Sequence, residues 1–160
     1  MTIKVGDTLP EATFMVPTAD GPAPKTTAEI FSGKKVALFA VPGAFTPTCS
    51  ARHLPSYKDK AADLAAKGVD TIACMSVNDA FVLGAWAKDQ GVSEDMVMLA
   101  DGSGVFAKQI GLEMDASKFG MGMRSQRFSL VADNGVVTHL FVEAPAEYKV
   151  SGAEYMLENM

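Results

Sequence analysis

The sequence has few of the residues from which disulfide frameworks and zinc sites are built. Among its 160 residues there are two cysteines, Cys49 and Cys74, and two histidines, His53 and His139. Two cysteines cannot form a disulfide scaffold, and these four side chains complete no zinc site at any usual spacing. The sequence therefore predicts neither a disulfide-rich protein nor a zinc protein.

Positive charge and long apolar runs are scarce as well. The formal net charge is −5 and the sequence has no basic block, which argues against nucleic acid or an anionic membrane surface as a partner. The longest apolar runs are far too short to span a bilayer. The N-terminal stretch MTIKVGDTLPEATF has one lysine and no apolar segment. We therefore expect no secretory signal and a cytoplasmic protein with both thiols reduced.

The chain shows no repeat, no low-complexity tract and no domain-separating linker, which predicts a single domain over residues 1–160. Continuous apolar runs, typical of strands buried on both faces, alternate with helical patterns. The predicted strands are 35–41, 70–77 and 96–101, and the predicted helices are 47–67, 78–91 and 102–111.

The remaining segments complete an α/β architecture. Residues 18–27 carry turn chemistry and predict the turn of an N-terminal β-hairpin between two small strands. Residues 127–143 predict a second hairpin, because they contain the turn signal Asp-Asn-Gly at 133–135. Ser151 with Glu154 three residues later predicts a capping box at the start of a final helix. Together these elements predict a central mixed β-sheet with helices on both faces.

One cysteine stands where a strand is predicted to pass into a helix, in the stretch VPGAFTPTCS. Thr46 suits the cap position and Pro47 the first helical position, which makes Cys49 the third helical residue. Unpaired backbone N–H groups and the positive end of the helix dipole then lie beside its sulfur, and both favour the thiolate. The alternative is that Cys49 is a small buried hydrophobic residue.

The helical register predicts how this sulfur is tethered. Cys49 falls on the margin of the apolar stripe rather than at its centre, so we expect it to be half-sheltered and still reachable. Pro55 cannot donate to the carbonyl of Ala51, and its ring disturbs the preceding turn. The turn that carries Cys49 is therefore expected to be weakly tethered and able to unwind.

An activated thiolate suits several reactions. Thiol–disulfide exchange usually uses Cys-x-x-Cys, and residues 50–52 are Ser-Ala-Arg. A hydrolase needs a base facing the sulfur; His53 turns further toward the buried stripe, where we expect a packing role, and His139 has no obvious partner. Attack on a peroxide needs less, namely a thiolate, hydrogen-bond donors for two oxygens and a nearby cation.

The segment PGAFTPTCSARHLPSY resembles the active-site segment of the peroxiredoxins, specifically the type II (Prx5-like) branch, with Pro42, Thr46 and Cys49 at the positions of its motif. The stretches SVNDAFVLGAW, LADGSGVFAKQIGL and RSQRFSLVADNGVV resemble that branch in the same order. The resemblance implies a thioredoxin-like fold and a thiol-dependent, antioxidant peroxidase that reduces hydrogen peroxide and organic hydroperoxides.

The resemblance also implies roles for single residues. Cys49 would be the peroxidatic cysteine and pass through a sulfenic acid, and Thr46 would contact thiolate and peroxide through its hydroxyl. Pro42 would shield the pocket, and Arg127 would be the permanent cation. The backbone N–H groups of Gly43 and Cys49 are plausible donors to the peroxide oxygens. This chemistry needs no metal, flavin or haem.

Alternatives to this site remain open at this point. Arg124 and Arg52 compete with Arg127 for the cation role, and each is otherwise a solvated surface charge. A peroxide-sensing redox relay or binding protein would share the activated thiol but pass oxidation to a partner, and a non-catalytic thioredoxin-like scaffold would not activate it.

The sulfenic acid must be reduced by another thiol. Cys74 is the internal candidate for a resolving cysteine, but a residue anchored in a central strand cannot travel to its partner, which favours a buried structural role. We expect a one-cysteine cycle closed by glutathione, glutaredoxin or thioredoxin. The resemblance further suggests a homodimer built across loops near the active site; for Trp86 and Phe81 we expect core packing rather than interface contacts.

Overall fold

The computed structural model describes residues 2–92 and 96–160. In this part of the chain seven strands form one mixed sheet. They are β1 (Thr13–Thr18), β2 (Gly21–Thr26), β3 (Lys35–Val41), β4 (Thr71–Ser76), β5 (Met96–Ala100), β8 (Phe128–Asp133) and β9 (Val136–Val142). Their order in the sheet is β2-β1-β5-β4-β3-β8-β9. The central strands β3, β4 and β5 run parallel, while β1 and β8 pair antiparallel to β5 and β3. A separate two-stranded sheet pairs β6 (Glu113–Asp115) with β7 (Met123–Ser125).

Helices cover both faces of the large sheet, as the sequence predicts. Alternate residues of β3 belong to two different hydrophobic cores, because successive side chains of a strand point to opposite faces. Helices α1 (Thr27–Phe31) and α5 (Val105–Gln109) pack into one core. The other core receives α2 (Leu54–Asp59), α3 (Ala61–Ala66), α4 (Ala80–Asp89) and α6 (Ala153–Asn159). Among the described residues, no helix has the length and apolar character that crossing a membrane requires.

The N-terminal hairpin is present, but its turn is shorter than predicted. Residues 19 and 20 form the turn, and 21–26 form β2 although Pro22 and Pro24 lie within it. A proline cannot donate to the ladder and is tolerated only where one side of the strand is unpaired. Strand β2 meets this condition because it is an edge of the sheet.

The starts of two helices differ from the predictions. Helix α1 was not expected, although Thr26 and Glu29 form a capping box at its start. The capping box predicted at Ser151 is wrong, because α6 follows Gly152 and the Ser151 hydroxyl donates instead to Glu143, at 2.6 Å. The hairpin turn at 134–135 is confirmed, and both of its residues have positive φ.

The predicted helix over 47–67 is interrupted rather than continuous. It begins at Pro47, changes to a π-helical turn over Cys49–His53, and continues as α2 and α3. In the π turn the Leu54 N–H donates to the Cys49 carbonyl, five residues back. The disturbance predicted from Pro55 therefore takes this form, since a missing donor is commonly absorbed by a local change of helix type. The turn that carries Cys49 is consequently wider than an α-helical turn.

Candidate active site

The loop between β3 and the Cys49 helix is fixed by hydrogen bonds from two directions. The Asn78 side-chain oxygen accepts from the Ala44 N–H at 3.0 Å. The Thr46 hydroxyl donates to the Gly43 carbonyl at 2.7 Å, and the Thr46 carbonyl accepts the first helical bond, from the Ser50 N–H at 3.0 Å. Thr46 thus stands where the helix begins, as predicted, but its hydroxyl orders the loop instead of capping the helix.

Strand β8 places a guanidinium on the sulfur of Cys49. Arg127 directly precedes β8, and β8 pairs with β3, whose end leads into the Cys49 loop. The Arg127 Nη2 donates to Cys49 Sγ at 3.1 Å. A guanidinium stays protonated and is a charge-assisted donor, so this contact is one that an anionic sulfur can accept.

The sulfur is less accessible than the sequence predicted. Cys49 is buried, with 0% of its surface exposed, so the expectation of a half-sheltered thiol is wrong. Arg127 both contacts Sγ and lines the adjacent cavity, and it therefore forms part of the wall between the sulfur and that cavity. The turn position puts Cys49 in the core containing Phe39 and Leu54, which removes it from solvent.

His53 has a larger part in this site than the packing role predicted for it. Its ring does pack on Phe39, with ring centres 4.9 Å apart. Its Nε2 lies 3.0 Å from the Ser151 carbonyl, to which it must donate, because a carbonyl only accepts. Its Nδ1 is then left to accept from Arg127 Nη1, at 2.9 Å. One edge of the guanidinium is therefore held by His53 while the other reaches Cys49.

Burial, reinforced by the positive charge of Arg127, lowers the pKa of His53 from 6.5 to about 3. A neutral ring is what the Arg127 contact requires, since a protonated ring has no acceptor. His53 lies four residues from Cys49, a spacing that places the two near each other on a helix, but its partners Arg127 and Ser151 are distant in sequence and no local pattern identifies them.

The other two candidate cations lie near the site without a hydrogen bond to the sulfur. Arg124 donates through Nε to the Met121 carbonyl at 2.9 Å and through Nη1 to the Pro42 carbonyl at 3.4 Å. Arg52 lies over the ring of Tyr148, with 4.6 Å between Cζ and the ring centre. Arg124 thus binds the start of the Cys49 loop at Pro42, and Arg52 lines the adjacent cavity.

Cys74 lies in the middle of β4, opposite Phe39 of β3. It is buried and carries a free thiol, as Cys49 does. Burial raises its pKa well above the usual range, and the nearby charge of Cys49 raises it further. A protonated thiol is a poor nucleophile, so this environment suits a structural residue better than a resolving one; the resolving role itself stays a prediction.

A cavity of about 620 Å³ opens beside Pro42 and Arg127. Its wall combines apolar side chains with Arg52 and the three carboxylates Glu113, Glu143 and Glu147, and the segment 144–148 forms one side. The apolar lining residues are Pro42, Met114, Phe119, Ala144, Pro145, Ala146 and Tyr148. A cavity of this size and lining suits a molecule with an apolar body.

The low pKa of His53 predicts a specific loss of stability in acid. Between pH 6.5 and about 3 the unfolded chain binds a proton at His53 that the folded chain does not. The contribution of His53 to the free energy of unfolding is therefore fully present above pH 6.5. It falls by up to ~1.4 kcal/mol per pH unit as the pH drops through this window. Denaturant unfolding of wild type and His53→Gln measures the effect. Glutamine supplies a donor and an acceptor but does not titrate, so its slope is expected to be shallower.

His139→Gln, the same substitution at the other histidine of the sequence, controls for the change of residue type. Equal slopes for wild type and His53→Gln would show that His53 does not remain neutral in the folded chain.

A sequence model of the Redoxin family matches residues 4–157. Peroxiredoxin-2E of Arabidopsis thaliana, a chloroplastic protein, is 45% identical over 98% of this chain and 69% of its own length. Peroxiredoxin-2C of Oryza sativa subsp. japonica is 45% identical over 98% of this chain and 97% of its own length.

Solved structures give the same result at the level of the fold. The chain is similar to reduced Prx3 from Vibrio vulnificus in complex with hydrogen peroxide, with 54% identity, a TM-score of 0.94 and 99% of each chain covered. It is also similar to peroxiredoxin 5 from Alvinella pompejana, with 33% identity, a TM-score of 0.85, and 98% of this chain and 96% of that one covered.

Proposed function

The chain belongs to the peroxiredoxins, thiol-dependent peroxidases with a thioredoxin-like fold, and we propose that Cys49 is its peroxidatic residue and Arg127 its activating cation. One observation carries the assignment, the 3.1 Å hydrogen bond from Arg127 to Cys49 Sγ. A fixed guanidinium beside a buried sulfur favours the thiolate and can hold the polarised peroxide as its O–O bond breaks.

In the proposed reaction the thiolate of Cys49 attacks the terminal oxygen of the hydroperoxide. The S–O bond forms while the O–O bond breaks. The electron pair of the O–O bond leaves with the other peroxide oxygen, as an alkoxide or hydroxide, which takes up a proton. Sulfur is oxidised to the sulfenic acid and the peroxide is reduced to an alcohol or water. The backbone N–H groups of Gly43 and Cys49 and the Thr46 hydroxyl are the proposed partners of the two oxygens, with Pro42 shielding the pocket.

We propose a one-cysteine cycle, in which an external thiol condenses with the sulfenic acid, releases water and leaves a mixed disulfide. A second thiol then attacks that disulfide and frees Cys49. The burial and raised pKa of Cys74 support this choice. Glutathione with glutaredoxin, or thioredoxin, is the proposed reductant. The free thiols of Cys49 and Cys74 suit a reducing compartment, and the cytoplasm remains our proposal.

Peroxide consumption with each reductant system tests the proposed cycle. We expect sustained turnover, many equivalents of peroxide per enzyme, with at least one of glutathione plus glutaredoxin and thioredoxin plus its reductase. We expect the same with an organic hydroperoxide, since the cavity beside Arg127 admits an apolar body. A single equivalent consumed under every condition would favour a sensor that passes oxidation to a partner.

Exposed apolar side chains around Phe81 and on the Cys49 loop support the proposed homodimer. Phe81, for which we expected core packing, is 73% exposed, whereas Trp86 is buried as predicted. Phe81 shares a hollow with the exposed Val105 and Met15, and Phe45 of the Cys49 loop is also exposed. Apolar groups grouped in this way are typical of an interface. Sedimentation analysis measures the oligomeric state directly, and a monomer at micromolar concentration would contradict the proposed homodimer.

A further inference from the structure

A carboxylate next to the site is held by backbone amides rather than by a cation. Glu143, which follows β9, is only 6% exposed. It accepts from the N–H groups of Lys149, Val150 and Ser151 at 2.8–2.9 Å and from the Ser151 hydroxyl at 2.6 Å. Its own N–H donates to the Arg127 carbonyl at 3.0 Å. In the described part of the chain, no lysine or arginine forms a salt bridge with it.

This arrangement keeps Glu143 ionised. Burial opposes the charge, but the Ser151 hydroxyl and the amides of residues 149–151 outweigh it, and the pKa of Glu143 lies below its usual range. Consecutive N–H groups converging on one carboxylate form a strong anion site. The carboxylate therefore closes the loop 144–150 and fixes the position of the peptide group of Ser151.

The Ser151 carbonyl connects the Glu143 carboxylate to the reacting sulfur through His53 and Arg127. It accepts from His53 Nε2 at 3.0 Å and from the Tyr57 hydroxyl at 2.8 Å. The bond to Nε2 fixes the tautomer of His53 and leaves Nδ1 free to accept from Arg127. If the carbonyl moved away, the Nε2–H group would lose its acceptor, and the ring proton could move to Nδ1. A proton on Nδ1 would face an N–H of the guanidinium, and Arg127 would lose the acceptor that orients it toward Cys49.

We propose that Glu143 is a positioning residue for peroxide reduction, which holds segment 149–151 so that the Ser151 carbonyl sets the tautomer of His53 and thereby the orientation of Arg127. The inference rests on the proposed roles of Cys49 and Arg127. Glu143 does not contact the sulfur; it acts through three intervening groups, the Ser151 carbonyl, His53 and Arg127. Outer-shell partners that orient metal-ligating histidines have a comparable positioning role, and their loss costs about 10- to 100-fold in activity.

Glu143→Gln tests the proposal, with Glu147→Gln as the matched control. Both carboxylates line the cavity, but Glu147 is exposed, and in the described part of the chain its carboxylate accepts only from the side chain of Lys149, at 3.4 Å. We expect Glu143→Gln to lower the second-order rate constant for hydrogen peroxide by about 10- to 100-fold and Glu147→Gln to stay within about twofold of wild type. Glu143→Asp keeps the charge but is one methylene shorter, and is expected to lie between them; it also carries the test if the glutamine variant does not fold.

Two further readouts separate positioning from a general loss of stability. The nitrogen chemical shifts of the His53 ring report which nitrogen carries the proton; we expect Nε2–H in wild type and Glu147→Gln, and a mixture in Glu143→Gln. In a His53→Leu background, Glu143→Gln should have little additional effect on the rate, because residues that act through one chain are non-additive.

A wild-type rate for Glu143→Gln, an unchanged His53 tautomer, or an equal rate loss in the His53→Leu background would each overturn the proposal. The tautomer measurement does not depend on peroxide chemistry. Failure of the Cys49 and Arg127 assignments would appear instead as undiminished turnover by their own variants, so the two failures are distinguishable.

Discussion

Cys49→Ser is expected to abolish peroxide turnover. A serine hydroxyl in this position is not ionised near neutral pH and cannot be oxidised to a sulfenic acid, so neither half of the cycle can proceed. Loss of a nucleophile lowers the rate of an enzyme by roughly 10⁴-fold or more. The measurement is peroxide consumption with an excess of the reductant that supports the wild type. The buried site accepts serine without a change of volume that would unfold it, which thermal unfolding of the variant will check.

Cys74→Ser is the matched control, because it makes the same substitution in the other buried free cysteine. We expect it to keep most of the turnover, with a modest loss of stability from a hydroxyl in an apolar core. Trapping of the sulfenic acid after one equivalent of peroxide should label Cys49 alone in wild type and in this variant. A Cys74→Ser protein that is inactive with every reductant would contradict the one-cysteine cycle and make Cys74 the resolving residue.

Local sequence signals accounted for the framework that carries the site. The run KVALFAV predicted β3 because a strand buried on both faces has no reason to alternate. Thr46 and Pro47 predicted the start of the helix because these residue types satisfy or avoid the unpaired N–H groups found there. Pro55 predicted a defect one turn earlier, and the π turn is that defect. Each of these signals depends only on neighbours in sequence.

The contacts that orient the site could not be predicted in this way. His53 and Ser151 are 98 residues apart, and Arg127 meets His53 across 74 residues. Periodicity predicted that His53 lies on the buried side of its helix. It could not predict that the Ser151 carbonyl and the Arg127 guanidinium bind the ring there. Arg127 entered the prediction through family resemblance, since an arginine before a hairpin strand carries no local mark of function.

The same limit explains the errors on the surface. Phe81 was expected in the core because it is large and apolar, yet α4 buries Leu83 and Trp86 and turns Phe81 outward. Hydrophobicity alone does not separate a core position from an interface position, because both remove the side chain from water. The residue types and spacing of Ser151 and Glu154 match a capping box, but the Ser151 hydroxyl donates to the Glu143 carboxylate, a charged and therefore stronger acceptor.

Arg127→Ala is expected to lower the rate constant for peroxide by two to three orders of magnitude while the fold is retained. The substitution removes the donor at 3.1 Å from Cys49 Sγ and the charge that favours the thiolate. Loss of one preorganised donor to a developing charge costs roughly 10²- to 10³-fold. Alkylation of Cys49 by iodoacetamide at pH 7 should slow as well, because that reaction also requires the thiolate.

Arg127→Lys separates charge from geometry, because an ammonium keeps the charge but lacks the planar fork that joins His53 Nδ1 and Cys49 Sγ. We expect it to recover part of the alkylation rate and little of the peroxide rate. Arg124→Ala and Arg52→Ala are the matched controls, since both arginines lie near the site without a bond to the sulfur. An unchanged rate in Arg127→Ala, together with a large loss in Arg124→Ala or Arg52→Ala, would move the cation role to that residue, and the orientation chain through His53 would then serve stability alone.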